Sequence, residues 1–232
     1  MQQTYHSALI VGAGSGLSAA LARMFAKAGM KVALAARRPD NRGQLRQEIG
    51  AQSYTCDASD AGQVAKLFTA MEAAFGAPDV VVYNASGRLR GPFVDLDPVE
   101  VAKSLAVTAF GGFLVAQEAA KRMLPKGHGA ILFTGASASV KGYAQSAPFA
   151  MGKFALRGLA QSMARELSPR GIHIAHVVVD GAIRSARQSD PPDRPDSTLD
   201  PDAIAQTYMD VLRQGRSAWS LEVELRPWVE PF

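Results

Sequence analysis

Four apolar residues, Ala8-Leu-Ile-Val11, stop at Gly12-Ala-Gly14-Ser15-Gly16, and beyond them Leu17, Ala20, Leu21, Met24 and Phe25 recur three and four positions apart. An apolar run without alternation suits a strand buried on both faces, and the spacing after the glycines is that of a helix with one buried side. A second apolar run, Lys31–Ala36, follows Gly29. Strand, glycine turn, helix and strand make a βαβ unit with a right-handed crossover, which commits the chain to a parallel sheet.

The same alternation continues to the far end. Ser53–Cys56, Asp79–Tyr83, Ala130–Thr134 and Ile172–Val179 read as strands three to six. Between them, Val64, Leu67, Phe68, Met71 and Phe75 mark an amphipathic helix ending at Gly76, and Asp97 caps a long helix that Pro98 opens and that runs to about Leu124. The polar stretch from Pro39 to Gly50 has room for a short helix at best. Pro201 opens a last helix to about Gln214, and Trp219–Leu225 alternates as a final strand. Residues 1–232 are therefore expected to form a single α/β domain, a doubly wound, mainly parallel sheet with helices on both faces. The polar, proline-rich stretch 184–200 is expected to be a mobile flap within it.

Composition narrows the function classes. Apolar residues make up 47% of the 232, ample for a buried core, and the formal charge of +4 is scattered, with no basic run interleaved with aromatics. Nucleic acid and anionic membranes are poor partners for such a surface. No apolar run is expected to reach the ~18 to 20 residues that span a bilayer, and the N-terminus lacks a signal-like pattern. One cysteine, Cys56, excludes an internal disulfide framework and suits a reducing compartment. The cytoplasm is the expected location.

Glycines after a first strand let backbone N–H groups approach a pyrophosphate while the positive end of the next helix faces the same charge, although glycines also serve tight turns with no ligand. Their place in a βαβ unit favours the ligand. After strand two, where an acid would hold the ribose of NAD, the chain reads Ala36-Arg37-Arg38. Two guanidinium groups suit the 2′-phosphate of NADP(H), or serve as solvated surface charges. Asp57 is placed either to accept from an adenine amino group or to cap the helix that follows. The stretch 134–167 crosses a Ser-rich, Gly-rich and Ala-rich loop into a helix on which Phe149 and Lys153, four residues apart, share one face. A lysine there either snorkels to water or faces a site.

Together these segments resemble the short-chain dehydrogenase/reductase family over nearly the whole chain. The resemblance rests on Gly12-x-x-x-Gly16, Asp57, Asn84-Ala85, Gly111, Lys153 and Gly181. It implies a seven-stranded Rossmann sheet, hydride exchange between a nicotinamide cofactor and a carbonyl or alcohol, and a homo-oligomer packed through the long helix and the central helix. The cofactor contacts it implies are Gly12, Gly14, Ser15, Gly16 and Leu17 at the first turn, Arg37 and Arg38 after strand two, and Asp57 and Ala58 after strand three. Further along they are Asn84, Ala85 and Ser86 after strand four, Thr108 in the long helix, Lys153, and Gly181 and Ile183 after strand six.

Of the family's Ser, Tyr, Lys and Asn set, only Lys153 carries over. Phe149 stands at the tyrosine, Ala136 at the serine and Thr108 at the asparagine; Val11, Ser18, Tyr83 and Asp180 also depart from the pattern. The resemblance is thus to an atypical subgroup that keeps the lysine and has phenylalanine for tyrosine. Phenylalanine has no proton to give, and losing a positioned general acid costs about 10²- to 10⁴-fold. Three outcomes stay open: a substitute donor among Ser137, Ser139, Tyr143, Ser146 or a Lys153-bound water; a substrate such as an activated alkene that needs no strong acid; or a non-catalytic NADP(H)-binding sensor. Tyr83 and Thr108 are expected to wall the pocket, and loops 86–97, 135–148 and 184–200 to contact the substrate.

Overall fold

The computed structural model describes residues 4–38, 43–185 and 188–229. Its strands are β1 (Ser7–Val11), β2 (Lys31–Ala36), β3 (Gln52–Thr55), β4 (Val80–Tyr83), β5 (Gly129–Thr134), β6 (Ile172–Val179) and β7 (Glu222–Leu225). They form one seven-stranded sheet in the order β3-β2-β1-β4-β5-β6-β7, with every neighbouring pair parallel. Strand order reverses between β1 and β4, where Val11 pairs with Ala35 on one side and Tyr83 on the other. At such a switch point the chain leaves the sheet in opposite directions and opens a crevice at the carboxyl ends of the strands.

The helices are α1 (Leu17–Lys27), α2 (Gly43–Ile49), α3 (Ala61–Phe75), α4 (Pro98–Leu105), α5 (Gly111–Met123), α6 (Ala147–Leu167) and α7 (Pro201–Leu212). Alternate residues of each strand feed two separate cores. Ala8, Ile10, Val82 and Leu132 pack against Leu21, Phe25, Tyr208 and Met209 of α1 and α7. Leu9, Val81, Ile131 and Phe133 pack against Phe68, Met71, Val115 and Leu156 of α3, α5 and α6. Each such side chain taken fully out of water contributes on the order of 1.5–3 kcal/mol, which is why the strands carry no polar side. The two edge strands are the exceptions: β3 has no fully buried residue, and β7 alternates between exposed and half-buried. β7 begins later than its sequence pattern: Trp219 lies outside the strand, its ring stacked 4.6 Å from that of His173.

α3, α4 and α7 begin at acids whose carboxylates accept backbone N–H groups: Asp60 from Gln63, Asp97 from Val99, and Asp200 from Asp202. Asp60, three residues beyond Asp57, is therefore the cap of α3. α4 and α5 are one rod interrupted by a π-helical turn, Ala106–Phe110. By length and composition the stretch Pro98–Lys126 could cross a bilayer, contrary to the expectation that no run comes near this. Here Val115, Ala116, Ala119 and Met123 are packed into the second core.

Of the expected flap 184–200, residues 186–187 lie outside the described residues; Arg184 and Thr198 meet at one carboxylate. Asp190 accepts from the Thr198 amide and hydroxyl at 2.7 and 2.6 Å and from Arg184 at 2.9 Å. A run that buries little apolar surface is thus held by local polar contacts.

Candidate active site

At the carboxyl ends of β1, β2 and β4 lies a cavity of about 280 Å³, and beyond β5 and β6 a second of about 490 Å³; Asn84 and Ser86 line both, so the two form one cleft. Gly12 makes the junction possible. Its φ is +90°, and a β-carbon there would stand 2.3 Å from the Ala85 nitrogen, so the turns after β1 and β4 touch backbone to backbone. Asn84 fixes this contact: its amide N–H bonds to the Val11 carbonyl, and its side chain donates at 2.7 Å to the Ser18 hydroxyl, which donates to the Gly12 carbonyl at 3.0 Å. Ser18, at a position where the family pattern has glycine, thereby pins the turn to the next strand.

α1 starts at Gly16 without a side-chain cap or an acid in its first turn, and the amides of Gly14, Ser15 and Gly16 find no acceptor among the described residues. The space beside Gly14 and Gly16 is open. Unsatisfied N–H groups at the positive end of a helix form a seat for a phosphate. Leu17, by contrast, turns into the first core. Arg37, Asp57 and Ala58 line the first cavity, whereas Arg38 is exposed and does not line it. Asp57 accepts from the amide and hydroxyl of Ser59, and those bonds, more than nearby Arg37, hold its carboxyl below the usual range.

In the second cavity Lys153 is 4% exposed and donates to the Thr134 carbonyl at 2.7 Å. Burial pushes its ammonium down to about 8. The Lys153 Nζ lies 5.8 Å from the centre of the Phe149 ring, and the guanidinium carbon of Arg88 lies 5.3 Å from the same centre. Ala136, Ser137 and Tyr143 also line this cavity, together with Gly181 and Ile183. Among the described residues Asp180 is its only lining carboxylate, and it is already paired, 3.1 Å from Arg226 and 3.4 Å from Lys141.

Several expected site residues lie elsewhere. Tyr83 is fully buried, with its ring between the sheet and α5 and its hydroxyl donating to the Val107 carbonyl in the π-helical turn, so it walls no pocket. A β-carbon on Gly111 would meet that hydroxyl at 2.5 Å. Thr108 is also fully buried; its hydroxyl accepts from the Gly87 amide at 2.8 Å, so it braces the loop after β4 and lines neither cavity. Ser139 is buried and accepts from the Ala136 amide at 3.1 Å, and Ser146 is buried outside the lining. Of the proposed hydroxyl donors, Ser137 and Tyr143 alone reach the cavity. Arg88 was missed by the sequence reading: its position four residues past Asn84 was the available signal.

An open parallel sheet with a switch-point cleft, a glycine cradle and a buried lysine defines a dinucleotide-binding protein of the Rossmann class. The short chain dehydrogenase family model matches residues 6–192, and the chain belongs to that family. It is 31% identical over 182 residues to short chain aldehyde dehydrogenase 1 of Euphorbia lathyris, covering 76% of this chain and 63% of that one, so it spans less than two thirds of that relative. A short-chain dehydrogenase from Rhodopseudomonas palustris superimposes with a TM-score of 0.83 at 32% identity, covering 97% of this chain and 100% of the other. A metagenomic short-chain oxidoreductase in complex with NADP gives 0.83 at 28% identity, covering 97% and 98%.

Proposed function

We propose that the chain is an NADP(H)-dependent oxidoreductase acting on a small carbonyl, alcohol or activated alkene, in which Lys153 and a water take the place of the family's tyrosine. The observation that carries this reading is the single cleft, lined by Gly12, Ala13 and Arg37 at one end, next in the chain to the unpaired amides of Gly14, Ser15 and Gly16, and by the buried Lys153 at the other. The residues present fit the coenzyme. The amides and the helix end receive its diphosphate, and Arg37 at the first cavity offers a forked donor set to a 2′-phosphate. NADP in the metagenomic relative supports the same preference.

When bound, the nicotinamide supplies or accepts hydride. The chain's own part is orientation and proton supply. Lys153, anchored on Thr134, has two N–H groups left for a ribose hydroxyl and a water. With Phe149 and Ala136 offering no proton, that water, recharged by Lys153, protonates the product oxygen or carbon; Ser137 and Tyr143 are the hydroxyls within the same cavity. Phe110, Phe113, Met151 and Phe154, between 41 and 51% exposed on the α5 and α6 side, support association with a second copy of the chain.

NADPH oxidation followed at 340 nm against a carbonyl and enone panel tests this reading, with Lys153→Ala as control. Turnover that the substitution abolishes is the expected result. Saturable coenzyme binding with no turnover on any substrate would make the protein a sensor instead.

A further inference from the structure

Arg88 lies exposed at the wall of the second cavity, 5.3 Å from the centre of the Phe149 ring, and has no carboxylate partner among the described residues. Its loop is fixed on both sides. Gly87 is bonded to Thr108 at 2.8 Å, and the Gly91 amide to the Gln145 carbonyl at 3.1 Å. Resting on an aromatic face is a weak interaction at an exposed site, enough to bias the side chain's position while leaving its planar fork of N–H groups without a carboxylate.

The same ring has Lys153 as its second cation. Two positive groups beside one ring repel each other in a cavity where Asp180, the one lining carboxylate among the described residues, is already shared by Lys141 and Arg226. An anion entering the cavity that both residues line relieves that repulsion. Arg88, Phe149 and Lys153 line one cavity, so a group bound to Arg88 lies in the space that the function proposed above gives to the substrate.

Building on the function proposed above, we propose that the substrate carries a carboxylate adjacent to its reacting carbon, as in a 2-oxo acid, and that Arg88 docks it through its guanidinium fork. A neutral ketone of the same size leaves that fork unpaired and binds more weakly.

Pyruvate and benzoylformate, each against its methyl ester, are titrated calorimetrically into the full-length protein, with and without saturating NADPH. Each acid is expected to bind about tenfold more tightly than its ester, the size of one charge-assisted hydrogen bond. Arg88→Gln should erase that preference, and Arg88→Lys should keep part of it. Equal affinities for acid and ester, or a preference that Arg88→Gln leaves intact, overturn the assignment. NADPH titration of the same samples separates the two proposals. Loss of coenzyme binding counts against the function proposed above, while the acid and ester comparison is still read in the coenzyme-free protein.

Discussion

Lys153 donates its hydrogen bond to the carbonyl of Thr134, 2.7 Å away, in a site where burial rather than any neighbouring charge sets its proton affinity. At pH 7 the folded and unfolded chains both carry the Lys153 proton, and the folded state bears the cost of burying it. From about 8 up to the ordinary lysine value of ~10.4 the folded chain sheds this proton while the unfolded chain keeps it, so the contribution to stability rises with pH. Denaturant titrations of wild type and Lys153→Met should show wild type gaining on the variant by at most about 1.4 kcal/mol per pH unit in that window. The matched pair is needed because buried Tyr5, Tyr83 and Tyr208, whose phenols are raised by burial, lower stability above about pH 10. A flat difference between pH 7 and 10 would mean that the ammonium is hydrated. If Lys153 also recharges the proton-donating water, reduction should fall above about pH 8.

If Arg37, which lines the first cavity, holds the 2′-phosphate as proposed, Arg37→Ala should weaken NADPH binding while leaving NADH nearly unchanged. Fluorescence titration of both coenzymes reads the ratio. Equal affinities in wild type would remove the preference altogether.

Reinstalling the family's donor by Phe149→Tyr with Ala136→Ser should raise ketone reduction by up to about 10²-fold if the proton source is the only deficit. The single change Phe149→Tyr also perturbs the seat of Arg88, so steady-state kinetics of single and double variants on neutral and acidic ketones separate proton supply from docking. No gain with any substrate would show that the cavity is shaped for another reaction.

Gly12→Ala should destabilise the protein by several kcal/mol and abolish coenzyme binding. Its β-carbon would enter the Ala85 backbone at 2.3 Å from a φ of +90°. Gly14→Ala, with open space around it, should leave thermal unfolding close to wild type and impair only coenzyme affinity. Thermal melts with and without NADPH distinguish the two; equal melting losses would contradict this division of labour.

The order of strands and helices was legible because strands buried on both faces must be continuously apolar and their helices must show one apolar side; Val80–Tyr83 and Ile172–Val179 could be read directly. The direction in which a side chain leaves its element was harder to read. Tyr83, the last residue of a fully buried strand, alternates with Val82 and so points to the α5 side, away from the cleft. Thr108 and Ser139 occupy site-like positions in the chain, yet each is fully buried with its hydroxyl accepting from a nearby amide, a contact no spacing rule contains. Arg88 went unnoticed for the opposite reason, since an exposed arginine on a loop acquires meaning only when Phe149, 61 residues later, comes to lie under it.

The close fit of Tyr83 into the hollow at Gly111 and Gly112 also bears on how such a chain evolves. With an aromatic ring lodged there, a lineage that regains the ordinary small polar residue at position 83 opens a void beneath the long rod, and one that first enlarges position 111 collides with the phenol. Neither single step is neutral, and shrinking position 83 alone does not free position 111, whose β-carbon would still stand 2.8 Å from the Ala58 carbonyl oxygen.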